Sequence, residues 1–245
     1  MKLAFWLALL TSGMHVSATE TIYGGPTVVP HLVDGDGWKT IVTLVNLDDT
    51  TAAFTLRFYA DDGTAAVFPT TAGTAATITG TIAPRGARTI ETTGTALALK
   101  QGWILVDTPS TVGGTAIFRR VLAGQPSFEA SEALDAGLWS RVAMPFDHLN
   151  GAATGFAIVN QTLFTSGLIS LVFRDENGVQ LLTDSFTLVP LGHSAITLTQ
   201  KYPQLIGKRG TFEVTAGSIY INVLALHFLN GSFTTITPVR SWTWQ

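Results

Sequence analysis

Four blocks of this sequence recur, in the same order, further along the chain. GWKTIVTLVN at 37–46 is answered by GAATGFAIVN at 151–160, with Gly37/Gly151, Thr40/Thr154, Val45/Val159 and Asn46/Asn160 at matching places. FTLRFYADDG at 54–63 is answered by ISLVFRDENG at 169–178, and IAPRGARTI at 82–90 by LVPLGHSAI at 188–196. QGWILVDT at 101–108 is answered by RGTFEVTA at 209–216. The offsets stay between 106 and 115 residues. One such block arises easily by chance, but four in order do not, and the period is too long for a solenoid. The pattern predicts two homologous domains in tandem.

Each repeated block is β in character. Phe54, Leu56 and Phe58 alternate with Thr55, Arg57 and Tyr59, and Ile169, Leu171 and Phe173 alternate likewise. Period-two alternation marks a strand with one buried and one solvated face. Asp62-Gly63 and Asn177-Gly178 are hairpin pairs that tolerate positive φ. Pro84-x-Gly86 and Pro190-x-Gly192 mark turns. No stretch sustains a helical apolar period. About seven strands fit each copy, which predicts an all-β chain of two tandem antiparallel β-sandwich domains, immunoglobulin-like in the broad sense, from an internal duplication. The boundaries expected are 19–121 and 141–245, with 122–140 as a connector draped on the surface and pinned by Phe128 and Trp139. A single outer-membrane barrel is the rival. The continuous apolar run Val223–Leu226 and the presence of only four Tyr speak against it.

Residues 1–18 read as a secretory signal peptide cleaved after Ala18, with Lys2 ahead of the apolar run Leu3–Leu10. That run is too short for a membrane span, which needs about 20 apolar residues. The protein is therefore expected to be exported, whether periplasmic, at the cell surface or extracellular. There is no Cys, which excludes a disulfide scaffold, a thiolate metal site and a lipoprotein anchor. A net charge of -3 with no basic stripe speaks against nucleic-acid binding. Only 13% of residues are charged, against about 25% in ordinary domains. Thr takes up the difference with 36 residues, being β-branched for strands and hydroxylic for their wet faces.

The run VPHLVDGDGWKTIVTLVN, with RFYADDG, GTAIFRR and PSFEAS after it, resembles an uncharacterised family of secreted proteins from Acidobacteria and related environmental bacteria. The resemblance spans nearly the whole chain after residue 18. It implies export and tandem β domains, and it transfers no catalytic residue.

Residue constellations that carry chemistry are scarce in this sequence. His31, His148, His193 and His227 show no paired ligand spacing. His31 and His148 share a place near the start of each copy. Gly192-His193-Ser194-Ala195 lacks the second glycine of a nucleophile elbow and reads as a turn. Asp34 and Asp36 are the candidate ligands should a Ca²⁺ bind, although Asp-Gly pairs are also what turns require. Trp38 and Trp103 face Ala152 and Thr211 in the second copy, so the fold as such does not require them. With Trp242 and Trp244 they are the candidates for stacking on sugar rings.

The leading expectation is a non-enzymatic structural or adhesive protein. It would assemble with its own kind through strand edges or terminal arms, or hold a surface polysaccharide. A carbohydrate-binding module is the alternative. A secreted hydrolase is the third reading, and it requires acidic or His side chains from both copies to meet in one pocket between them.

Overall fold

The computed structural model describes residues 26–124 and 126–240. The expected signal peptide over 1–18, and Trp242 and Trp244, lie outside the described residues.

The chain is all-β, and its strands pair antiparallel throughout. The first half forms β1 (Thr27–Asp34), β2 (Trp38–Asn46), β3 (Ala52–Tyr59), β4 (Phe68–Thr70), β5 (Gly73–Ala75), β6 (Thr77–Ile82), β7 (Ala87–Glu91), β8 (Lys100–Asp107), β9 (Val112–Arg120) and β10 (Phe128–Ala133). The second forms β11 (Arg141–Asp147), β12 (Ala153–Asn160), β13 (Gly167–Asp175), β14 (Gln180–Leu188), β15 (His193–Thr197), the short helix α1 (Leu198–Lys201), β16 (Arg209–Ala216), β17 (Ile221–Leu229), β18 (Ser232–Ile236) and β19 (Val239–Arg240). In the first half the sheets run β1-β8-β3-β6 and β10-β9-β2-β7. In the second they run β14-β13-β16-β11-β19 and β15-β12-β17-β18. Read from β11, and apart from the added edge strand β19, the second pair repeats the order of the first.

The alternation seen in the sequence is the packing. Leu56 and Phe58 of β3 meet Val42 and Leu44 of β2, from the opposite sheet, in one core. Leu171 and Phe173 of β13 meet Phe156 and Ile158 of β12 in the other. Buried side chains of facing sheets interdigitate in this way in a sandwich. Immunoglobulin order places the first strand beside the second and the last strand in the opposite sheet. Here β1 pairs with β8 and β9 pairs with β2, so these two strands occupy each other's sheets.

The repeated polar residues have repeated tasks. Asn46 is buried, and its Nδ2 donates to the carbonyls of Thr50 and Ala83. Asn160 is buried, and its Nδ2 donates to those of Thr165 and Val189. The Asn46 and Asn160 N–H groups each donate over 2.9 Å to a turn carbonyl, of Gly86 and Gly192 respectively. A buried carbonyl left unpaired is costly, so one amide side chain satisfying two holds its turn in place.

Two expectations are corrected. Residues 122–140 are not a draped connector. They carry β10, which pairs with β9 along its length, and Asp135, whose carbonyl accepts the Val28 N–H of β1. They therefore finish the first pair of sheets. Trp139 is buried in the second core, with its indole N–H donating to Asp135 over 2.9 Å. In the first half, the Asp62-Gly63 turn leads into the small β4-β5 hairpin and not directly into β6.

β12 and β17 are buried on both faces. Val223 and Ala225 enter the second core, while Leu224, Leu226 and Ala157 pack into the first, joined by Phe233 of β18. The outer face of sheet β15-β12-β17-β18 thus lies against the first half, where it contacts the edge strands β1 and β10. This is the physical cause of the uninterrupted apolar run at Val223–Leu226.

A candidate binding cleft between the halves

Two turns that are unremarkable in sequence meet at this seam. The tip Asp61-Asp62-Gly63 follows β3, and Pro190-Leu191-Gly192 precedes β15. Gly63 adopts φ +79°, and a Cβ there would stand 2.1 Å from the Pro190 carbonyl oxygen. The close approach brings the His193 N–H to the Asp61 carbonyl at 3.0 Å. It also brings His193 Nδ1 to Asp61 Oδ1 at 2.7 Å. Gln101 of β8 donates from Nε2 to the other carboxylate oxygen, also at 2.7 Å.

The contact continues one residue further. His193 Nε2 lies 3.2 Å from Nδ1 of His31, on β1. The two rings are 20° from parallel with centroids 5.3 Å apart, so they meet edge to edge, as the nitrogen contact requires. A chain therefore runs from Asp61 through His193 to His31. Burial pushes the His31 imidazole down to about 3, helped by His193 and opposed by the Asp61 charge. At Asp61 burial acts upward, but the hydrogen bonds from His193 and Gln101 prevail and hold the carboxyl below its usual range. Asp61 is ionised and His31 neutral at physiological pH.

His31 opens onto a cleft of about 500 Å³ between the halves. Val33, Phe118, Leu224, Leu226 and Phe228 give it apolar walls. Gln101, Thr197, Gln200 and Lys201 supply polar atoms, the last two carried by α1. The Lys201 ammonium lies 3.1 Å from Asp184 Oδ2, so its charge is matched. A concave, mainly apolar site of this size with a few convergent polar groups is the usual form of a small-molecule pocket.

The expected site residues fare differently. Trp38 lines the cleft, packed on Phe233 with the Arg120 guanidinium over its ring. Trp103 is fully buried, with its indole N–H donating to the Leu191 carbonyl at 2.8 Å and its ring stacked on Tyr59. It offers no face to a sugar, because the second half covers this part of the sheet. Its counterpart Thr211 is exposed, which is why the fold as such needs no Trp there. Asp34 turns inward and accepts the Gly94 N–H at 2.6 Å. Asp36 is exposed at a turn with φ 49°. No group of three metal-ligating side chains forms among the described residues. His148 does not pair with His31: it is buried, with Nδ1 3.2 Å from the Leu205 carbonyl.

Asp61, His193 and His31 as a unit escape a reading by spacing, because the residues lie far apart in the chain and each sits in an ordinary turn or strand. The one local signal is that Ala87 stands in the first copy where His193 stands in the second. Comparison with known proteins supplies no relative: no family model, no curated protein and no solved structure matches this chain.

Proposed function

We propose that this is an exported, non-enzymatic binding protein, built by tandem duplication of a sandwich that is immunoglobulin-like in the broad sense. Its ligand site is the cleft between the two units. The observation that carries the reading is that side chains from both units converge on one apolar cavity: His31, Gln101 and Trp38 from the first, Thr197, Gln200 and Leu224 from the second. The shared strand order, and the Asn46 and Asn160 plugs with their matching bonds, support the duplication. Export and membership of the secreted family rest on the N-terminal run and on the motifs quoted above.

Binding stands ahead of hydrolysis on two grounds. A general base works best with a pKa near the working pH, and His31 is held far below it. No Ser or Thr hydroxyl is hydrogen-bonded to His31 or His193 among the described residues. Binding also stands ahead of assembly through strand edges, because β1 and β10, two edges such assembly would use, are already covered by the second unit.

The reading is tested with a neutral fluorescent apolar probe, N-phenyl-1-naphthylamine. One molecule is expected to bind per chain. Ala195→Phe, which puts a ring into the cleft from half-buried β15, should abolish binding while leaving the circular dichroism unchanged. Absence of binding to the wild-type protein, or equal binding by the folded variant, refutes the cleft as the site.

A further inference from the structure

The hydrogen-bond chain at the cleft has a direction, and the direction selects a ligand. Asp61 is a carboxylate and only accepts. When both imidazoles are neutral, one proton arrangement satisfies both contacts. His193 carries its proton on Nδ1 and donates it to Asp61. Its Nε2 is then a lone pair and accepts the proton on His31 Nδ1. That leaves His31 Nε2 as a second lone pair, with no partner among the described residues. A neutral imidazole has one donor and one acceptor nitrogen, so fixing the first fixes the second. The cleft thus presents a hydrogen-bond acceptor within apolar walls, and the one ammonium in its lining is already matched by Asp184.

We propose that the cleft takes a mainly apolar molecule bearing one uncharged hydroxyl, whose proton is received by Nε2 of His31. The inference rests on the cleft being a binding site. A carboxylate ligand would bring lone pairs against a lone pair, and a charge into a cleft whose lining ammonium already faces Asp184. A plain hydrocarbon would fill the walls but leave the imidazole nitrogen dehydrated and unpaired. An alcohol satisfies both parts. Gln101 holds the far carboxylate oxygen of Asp61 and so keeps the whole chain aligned.

The test compares three probes of one shape at pH 8, above the ordinary imidazole range: 2-naphthalenemethanol, 2-methylnaphthalene and 2-naphthoate. Binding is read by titration calorimetry on the full chain. The alcohol is expected to bind about tenfold more tightly than the hydrocarbon, the worth of one good hydrogen bond, and the carboxylate most weakly. In His31→Phe the preference for alcohol over hydrocarbon should vanish while the hydrocarbon still binds. Tightest binding of the carboxylate, or equal binding of alcohol and hydrocarbon to the wild-type protein, overturns the proposal but leaves the cleft a binding site. A preference for alcohol that survives in His31→Phe removes His31 from it. Failure of all three probes overturns the binding reading itself.

Discussion

His31 and Glu132 are two titratable side chains that the fold holds uncharged, and their effects on stability run in opposite directions. The His31 imidazole is pushed down to about 3 by burial first and by His193 second, against the pull of Asp61. Unfolded, it titrates near 6.5. Its contribution is therefore intact above that value and is lost as pH falls toward 3, because the unfolded chain takes the proton first. The loss by pH 4 is on the order of a few kcal/mol. Denaturant midpoints should fall between pH 7 and pH 4, and His31→Phe should fall less. Glu132 behaves conversely. Burial, with Asp135 adding and Arg240 opposing, raises its carboxyl to about 8, and its Oε2 has no partner among the described residues. Its contribution is intact below the unfolded value near 4.5 and is lost as pH rises toward 8. Glu132→Gln should gain about 1 kcal/mol at pH 8, discounted because the residue is half-buried, and nothing at pH 4. Melting temperatures at the two pH values check this.

One type of turn serves two purposes in this molecule. After β3, the tip Asp61-Asp62-Gly63 is docked, with the Pro190 and Leu191 backbone against Gly63. After β13, the tip ending in Asn177-Gly178 stands free, and a Cβ on Gly178 would meet nothing. Both glycines have left-handed φ, +79° and +80°. Substitution by Ala at either position costs the conformational strain, about 1 kcal/mol. Only Gly63→Ala must also displace the opposing backbone. Gly63→Ala is expected to destabilise by about 3 kcal/mol or more and Gly178→Ala by about 1, measured by chemical denaturation. The sequence makes both turns legible through Asp62-Gly63 and Asn177-Gly178. It does not distinguish the docked one, because docking depends on a partner far along the chain. The same limit applied to β10. Ser127-Phe128 recurs as Ser232-Phe233, a short echo whose significance rests on β10 and β18 being the corresponding last strands of two sheets.

At the scale of the molecule, the two units are not separable. Leu224, Leu226, Ala157 and Phe233 belong to the second unit's strands but to the first unit's core. Trp103, Val28 and Val159 form a smaller buried cluster at the seam. Burying one large apolar side chain is worth about 1.5–3 kcal/mol, so either half alone would expose a surface worth many times that. Unfolding of the full chain should therefore be one calorimetric transition, with the measured enthalpy equal to the van't Hoff value. Fragments 26–135 and 141–240, expressed apart, should be aggregated or unfolded. Two resolved transitions, or two monomeric folded fragments, would contradict this. The covered edges also recast the low charge of the chain. Edge strands usually need charged guards, and here β1 and β10 are shielded by a neighbouring sheet.

By itself the sequence determined much of what depends on neighbours a few residues apart. The alternation at Phe54–Phe58 and Ile169–Phe173 set strands and their wet and dry faces. The glycine pairs set the turns, and the order-preserving echoes set the expectation of two like halves. The run Val223–Leu226 even recorded that one strand has no wet face. Only the tertiary structure decided what covers that strand, why Trp103 is a seam residue, and that Asp61, His193 and His31 form one chain of hydrogen bonds. Those facts depend on how two surfaces meet, and their energetics come from water excluded at the meeting, which no spacing along the chain encodes.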